Sequence, residues 1–120
     1  MTFYISPPYD KHYSCSNGHN SSGGATHVDR QTWTCTQCHH SLDIDMTDSS
    51  GITHTVQRHP ANTIRNRDQI VWDRGNKLLN IGEVHGSHAP TGKQQATHWK
   101  LVVEGYGLGT VPADQYINRT

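Results

Sequence analysis

Tyr13-Ser14-Cys15-Ser16-Asn17-Gly18-His19 and Trp33-Thr34-Cys35-Thr36-Gln37-Cys38-His39 are two versions of one seven-residue pattern. Aligned, an aromatic stands over an aromatic, a hydroxyl over a hydroxyl and a Cys over a Cys. A hydroxyl, an amide, Gly18 over Cys38, and a His over a His complete the match. All three cysteines of the chain fall inside these two stretches. Between them, Asn20-Ser21-Ser22-Gly23-Gly24 reads as a turn. Thr26 to Thr34, with its β-favouring Thr, Val and Trp, is expected to return as a strand. The order is knuckle, hairpin-like excursion, knuckle.

Such a pattern suits a metal. Structural zinc takes four ligands in a tetrahedron, and a Cys-x-x-Cys turn aims two thiolates at one ion. Cys35 and Cys38 have that spacing, and Cys15 supplies a third sulfur. Thr36 and Gln37 leave backbone N–H groups free to support the sulfurs. The internal alignment makes His19 the first choice for the fourth ligand. His12 is the alternative, because His12-x-x-Cys15 has the same gap, and His39 and His40 are lesser candidates. This segment resembles zinc-ribbon modules in its aromatic-x-Cys-x-x-Gly/Cys-His knuckles. The resemblance covers residues 13–40 and departs from the four-Cys pattern at Gly18. It implies one structural Zn2+, since four protein ligands leave no position open for a reacting water. Metal binding would also supply folding energy.

The chain needs such help. It has 120 residues, of which 32% are hydrophobic, and Phe3 is its one Phe. A core this thin is commonly stapled. Ten basic residues balance ten acidic ones, so the net charge is zero. That argues against broad non-specific attraction to nucleic acid or anionic membrane. The balance is uneven: residues 1–48 hold two basic groups against five acids, and residues 49–120 hold eight against five. An odd cysteine count cannot complete a disulfide framework. Thiolate ligation points to a reducing, cytoplasmic setting. No apolar run approaches a transmembrane span, and the start, MTFYISPPYDKHY, lacks the pattern of a signal peptide.

Along the chain, Pro7-Pro8 favours an open path over residues 1–12. Ser41 to Asp45 alternates Leu42 and Ile44 with Asp43 and Asp45 and reads as an edge strand. Further strands are expected at Ile52–His59, Gln69–Trp72, Lys77–Val84, His98–Glu104 and Tyr116–Asn118, separated by Gly-rich turns, with Gly82 as a bulge. No segment holds a helical period over three turns. The expected fold is mainly β: a zinc-ribbon-like lobe over 1–48 joined to a small antiparallel sheet or barrel over 49–120, SH3-like or OB-like. The two parts are expected to pack as one unit.

Function reads less directly. Ten His is a high density, and His85, His88 and His98 suggest a second metal site of three imidazoles. That site would make the chain a metal-dependent hydrolase or nuclease. His27-Val28-Asp29 is the nearest approach to the general-base stretch of an HNH-type nuclease, without its later Asn and His spacing. Basic and aromatic residues interleave after residue 50, and Arg65, Arg67, Trp72, Arg74, Trp99, Lys100 and Arg119 form a candidate binding surface. Trp72 and Trp99 read in the first place as core residues of adjacent strands. The favoured expectation is a zinc-stabilised, non-enzymatic binding or adaptor protein, with a protein partner slightly ahead of nucleic acid and no membrane. The third reading is a structural subunit, a homo-oligomer pairing edge strands such as Leu42–Ile44.

Overall fold

The structure, a computed structural model, describes residues 5–15, 20–22, 27–92 and 97–120. Among these, nine strands form one antiparallel sheet. They are β1 (Asp10–Ser14), β2 (Asn20–Ser22), β5 (Asp43–Thr47), β6 (Thr53–Pro60), β7 (Gln69–Gly75), β8 (Leu78–His88), β9 (His98–Val103), β10 (Gly107–Pro112) and β11 (Tyr116–Arg119). A separate two-stranded ribbon pairs β3 (Val28–Asp29) with β4 (Thr34–Cys35). The sheet order is β10-β9-β8-β7-β11-β6-β5-β1-β2, and among the described residues it runs open between edges at β10 and β2. The fold is mainly β, as the alternation in the sequence indicates. The expected boundary at residue 48 falls in the turn between β5 and β6, and those two strands are neighbours in the continuous sheet. Among the described residues, no helix is long and apolar enough to cross a membrane.

Both faces of this sheet carry a core. In β7, Ile70 and Trp72 join one apolar cluster while Val71, pointing the other way, joins the second. Period-two alternation makes that inevitable for three consecutive buried residues in a strand. The first cluster gathers Val84, Leu101, Val103, Val111 and Ile117 under the loop residues Ala61 and Ile64. The second gathers Tyr13, Leu42, Ile44, Met46 and Val56 against Trp33, Cys15 and Cys35 of the cysteine lobe. On the opposite face of β5, cross-strand polar pairs do the joining. Thr55 Oγ1 donates to Asp45 at 2.6 Å and Gln57 Nε2 to Asp43 at 3.0 Å.

Several local expectations change. β5 is not an edge: it lies between β1 and β6, and Leu42 and Ile44 are completely buried, so edge pairing through them is closed off. Pro7-Pro8 opens a 3-10 turn, where a missing N–H is harmless. The segment from Thr26 is not one returning strand but the short ribbon β3–β4. Gly82 is not a bulge; the register shift falls between Val84 and Gly86, at His85. Gly82 is required for a different reason. A Cβ there would run into the Glu104 carbonyl oxygen and come 2.9 Å from the Trp72 ring.

One buried ion pair ties these pieces together. Arg58, in the Thr-rich β6, is 1% exposed and points into the second cluster's face of the sheet. Its guanidinium forks onto Asp10, Nη1 to Oδ2 at 2.8 Å and Nη2 to Oδ1 at 2.6 Å. Nε donates to Asn118 Oδ1 at 2.8 Å, and Nη2 also donates to the Ile5 carbonyl at 3.0 Å. The Trp33 ring lies under the cation, 4.2 Å from its centre. Asn118 in turn donates to the carbonyls of Ile5 and Val71 at 3.0 and 3.1 Å.

Removing one member of a buried, hydrogen-bonded pair costs about 3–5 kcal/mol, because the other charge is left unpaired. Asp10→Ala should therefore lower the unfolding free energy by about that amount in a urea titration. Arg58→Lys should fail to restore wild-type stability, since an ammonium cannot reproduce the planar fork.

Candidate metal centre

The ribbon and the loop after it place the cysteines. Asp29 starts the tight turn: its Oδ1 accepts from the backbone N–H of Gln31 at 2.9 Å and its carbonyl accepts from Trp33 N–H at 2.7 Å. Trp33 sits in the left-handed region at φ 57°, a rare conformation for an aromatic residue. Its burial on Arg58 holds it there. Past Cys35 the chain reverses around a second left-handed residue, His39 at φ 62°, with His39 N–H donating to the Cys35 carbonyl at 2.8 Å. Cys35 N–H donates to the His40 carbonyl at 2.9 Å and closes the knuckle.

The Sγ atoms of Cys15, Cys35 and Cys38 lie within 4.8 Å of one another, and Cys15 and Cys38 are 3.5 Å apart. Zn–S bonds of about 2.3 Å set a tetrahedral sulfur–sulfur edge near ~3.8 Å, so the trio has the right size for one ion. None of the three is in a disulfide. Burial pushes the Cys35 thiol up. The N–H groups of Cys38 and Gln37, with the thiols of Cys38 and Cys15, outweigh burial and bring it down to about 7. An N–H from His40 lowers Cys38, but burial and the neighbouring sulfurs raise it above the ordinary value overall. The knuckle backbone thus stabilises negative charge on one sulfur before any cation arrives, and the cluster is fitted to hold a metal ion.

Other expected ligands fall differently. His19 lies outside the described residues. His12 is not brought to the sulfurs. It alternates with buried Tyr13 on β1 and turns to the opposite face, its Nδ1 3.8 Å from Asp45. His39 and His40 are exposed. The proposed second site does not assemble: His85, His88 and His98 do not converge as a trio. His85 sits at the register shift between Val84 and Gly86, while His88 pairs in regular register with Lys100. His85 instead meets Glu104, 3.6 Å from its Nε2, with Glu83 beside them on the surface.

The candidate binding surface also changes. Trp72 is 1% exposed and packs edge-on to Tyr106, centroids 5.6 Å apart, so it offers no face to a partner. Trp99 is half-buried, and its indole N–H donates to Ser87 Oγ at 2.7 Å. Arg65, Arg67 and Arg74 are exposed, while Lys100 and Arg119 are half-buried. Arg119 Nη2 lies 3.3 Å from His59 Nε2. One residue missed in the sequence, Arg58, and one read there for another role, His27, matter here. Arg58 carries no motif; its one signal is a charged residue in phase with Val56 on a strand. His27 is 5% exposed, and its Nε2 has no hydrogen-bond partner.

No protein-family model matches the chain, and no curated protein or solved structure matches it either. The site therefore rests on its own geometry.

Cys38→Ser should abolish tight metal binding at the trio, measured by elemental content after gel filtration, and lower the melting temperature. Unchanged metal content would contradict the site. Affinity should also depend on pH in a defined way. Thiols must lose their protons to bind metal. Above about 7 Cys35 is already a thiolate; below it, its proton must also be displaced. The loss of affinity per pH unit should therefore steepen by about one proton as pH falls through that value, read by competition with a chromogenic chelator.

Proposed function

We propose that this chain is a zinc-stapled, non-enzymatic binding module acting on a protein partner, with a zinc-ribbon-like lobe over residues 13–40. The convergence of the Cys15, Cys35 and Cys38 sulfurs carries the reading. These residues belong to the second apolar cluster or pack against it, which suits a staple rather than an open reaction centre. Strands of two residues cannot hold a ribbon together alone, so a metal there contributes to folding. Thiolate ligands suit a reducing compartment, which supports a cytoplasmic location.

Net charge zero and the withdrawal of Trp72 into the core weigh against a stacking surface for nucleic acid. The exposed apolar residues favour a protein. Leu108, 61% exposed, lies on the edge strand β10, which carries no charged side chain, directly opposite Val102 of β9.

The test combines stoichiometry with salt dependence. The purified chain should hold one zinc, and the double variant His85→Ala/His88→Ala should keep it. A second metal lost in that variant would favour the hydrolase instead. Oligonucleotide binding should be weak across the salt range; tight binding that falls steeply with salt would replace the protein partner with nucleic acid.

A further inference from the structure

The three sulfurs leave one corner of a tetrahedron, and the structure holds a buried nitrogen that needs an occupation. Among the described residues, His27 Nε2 is the one buried side-chain polar atom without a hydrogen-bond partner. A buried group left in that condition costs about 1–3 kcal/mol. Its place in the chain is next to the knuckle. The His27 carbonyl accepts from Thr36 N–H at 2.8 Å, and the following residue, Val28, pairs with Cys35. His27 is therefore anchored by its backbone to the first turn of the Cys35–Cys38 loop.

We propose that His27, rather than His19, is the fourth zinc ligand, bonding through Nε2. The proposal rests on the zinc reading above and adds the missing corner to it. Charge supports an imidazole there. Three thiolates around Zn2+ already leave a net −1, and a carboxylate would raise that to −2 beside the apolar cluster of Trp33 and Leu42. A neutral imidazole adds no charge and is a standard zinc ligand. The ring nitrogens do not lie within 4.8 Å of all three sulfurs as they stand. Ligation therefore requires the His27 side chain to turn toward the sulfurs, from a backbone already tied to the knuckle.

Cobalt(II) titration of the full chain tests this, because absorption reports both tetrahedral geometry and the number of thiolates. Loss of even a group that supports a ligand weakens metal sites about 10–100-fold, so His27→Ala should weaken Co(II) and Zn(II) binding by at least about tenfold. His19→Ala should leave affinity and spectrum unchanged. His27→Cys guards against a variant that merely misfolds. It should keep tetrahedral cobalt, move the d–d bands to longer wavelength, and strengthen the thiolate charge-transfer band as four sulfurs replace three. If His27→Cys keeps the wild-type spectrum while His19→Ala changes it, His19 is the ligand and the proposal fails. If the wild-type chain binds no cobalt or zinc at all, the metal reading itself falls with it. The two failures are thus distinct.

Discussion

A guanidinium buried among strands makes strict demands. Arg58 cannot shed its charge and has five N–H donors to satisfy in a fixed plane. It meets Asp10, Asn118 and the Ile5 carbonyl, with Trp33 against its face. Those groups come from the N-terminal segment, the first strand, the C-terminal strand and the cysteine lobe. A one-residue slip in β6 would turn Arg58 to the opposite face and leave Asp10 without its partner. The pair therefore contributes more to the uniqueness of the sheet order than to its stability, since an apolar replacement of the whole network is often no less stable.

The same pair reaches the sulfurs through the two aromatics of the repeated pattern. Tyr13 donates its hydroxyl to Asp10 Oδ2 at 2.6 Å, and the Trp33 ring lies on Arg58. Each stands two residues before a cysteine of the trio. Arg30 lies 5.8 Å from both ring centres and so stands beside both aromatics. The aromatic-x-Cys echo thus has a physical meaning. The aromatic fixes the approach of each chain segment to the Arg58–Asp10 pair, and the cysteine that follows is delivered to the common point.

The sequence revealed what depends on local pattern. Alternation in Ser41–Asp45 and His98–Glu104 located strands, observed at Asp43–Thr47 and His98–Val103, and Cys-x-x-Cys located the thiol cluster. What it hid depends on neighbours distant in the chain. Ser41–Asp45 looks like an edge because acids flank Leu42 and Ile44, yet those acids face Thr55 and Gln57 of β6 rather than solvent alone. The C-terminal strand looks terminal and is central, because Asn118 carries the ladder between β6 and β7. Gly82 reads as a bulge, but its reason is the close approach of Glu104 and Trp72, which no local pattern records. His27 is one of ten histidines, and only its burial distinguishes it.

The division of labour between ion pair and thiols follows from where each sits. The first core cluster is closed by its own loop: Ala61 N–H bonds to the Gln115 carbonyl, and Ile64 folds over the strands beneath. Among the described residues, the second cluster is covered by the cysteine lobe, whose ribbon has two-residue strands, with Ile5 and Tyr9 of the N-terminal segment also packed against it. Apolar burial cannot hold so short a ribbon in place, because its area is small against the entropy of ordering the loops around it. An ion shared by residues 15, 35 and 38 would tie these segments together at once, as a crosslink does. The Arg58 network fixes where the lobe lies on the sheet, and a metal on the three sulfurs would fix the lobe's own shape. Neither replaces the other: a correctly placed Trp33 still needs its loop ordered, and an ordered loop still needs Arg58 to say which face it covers.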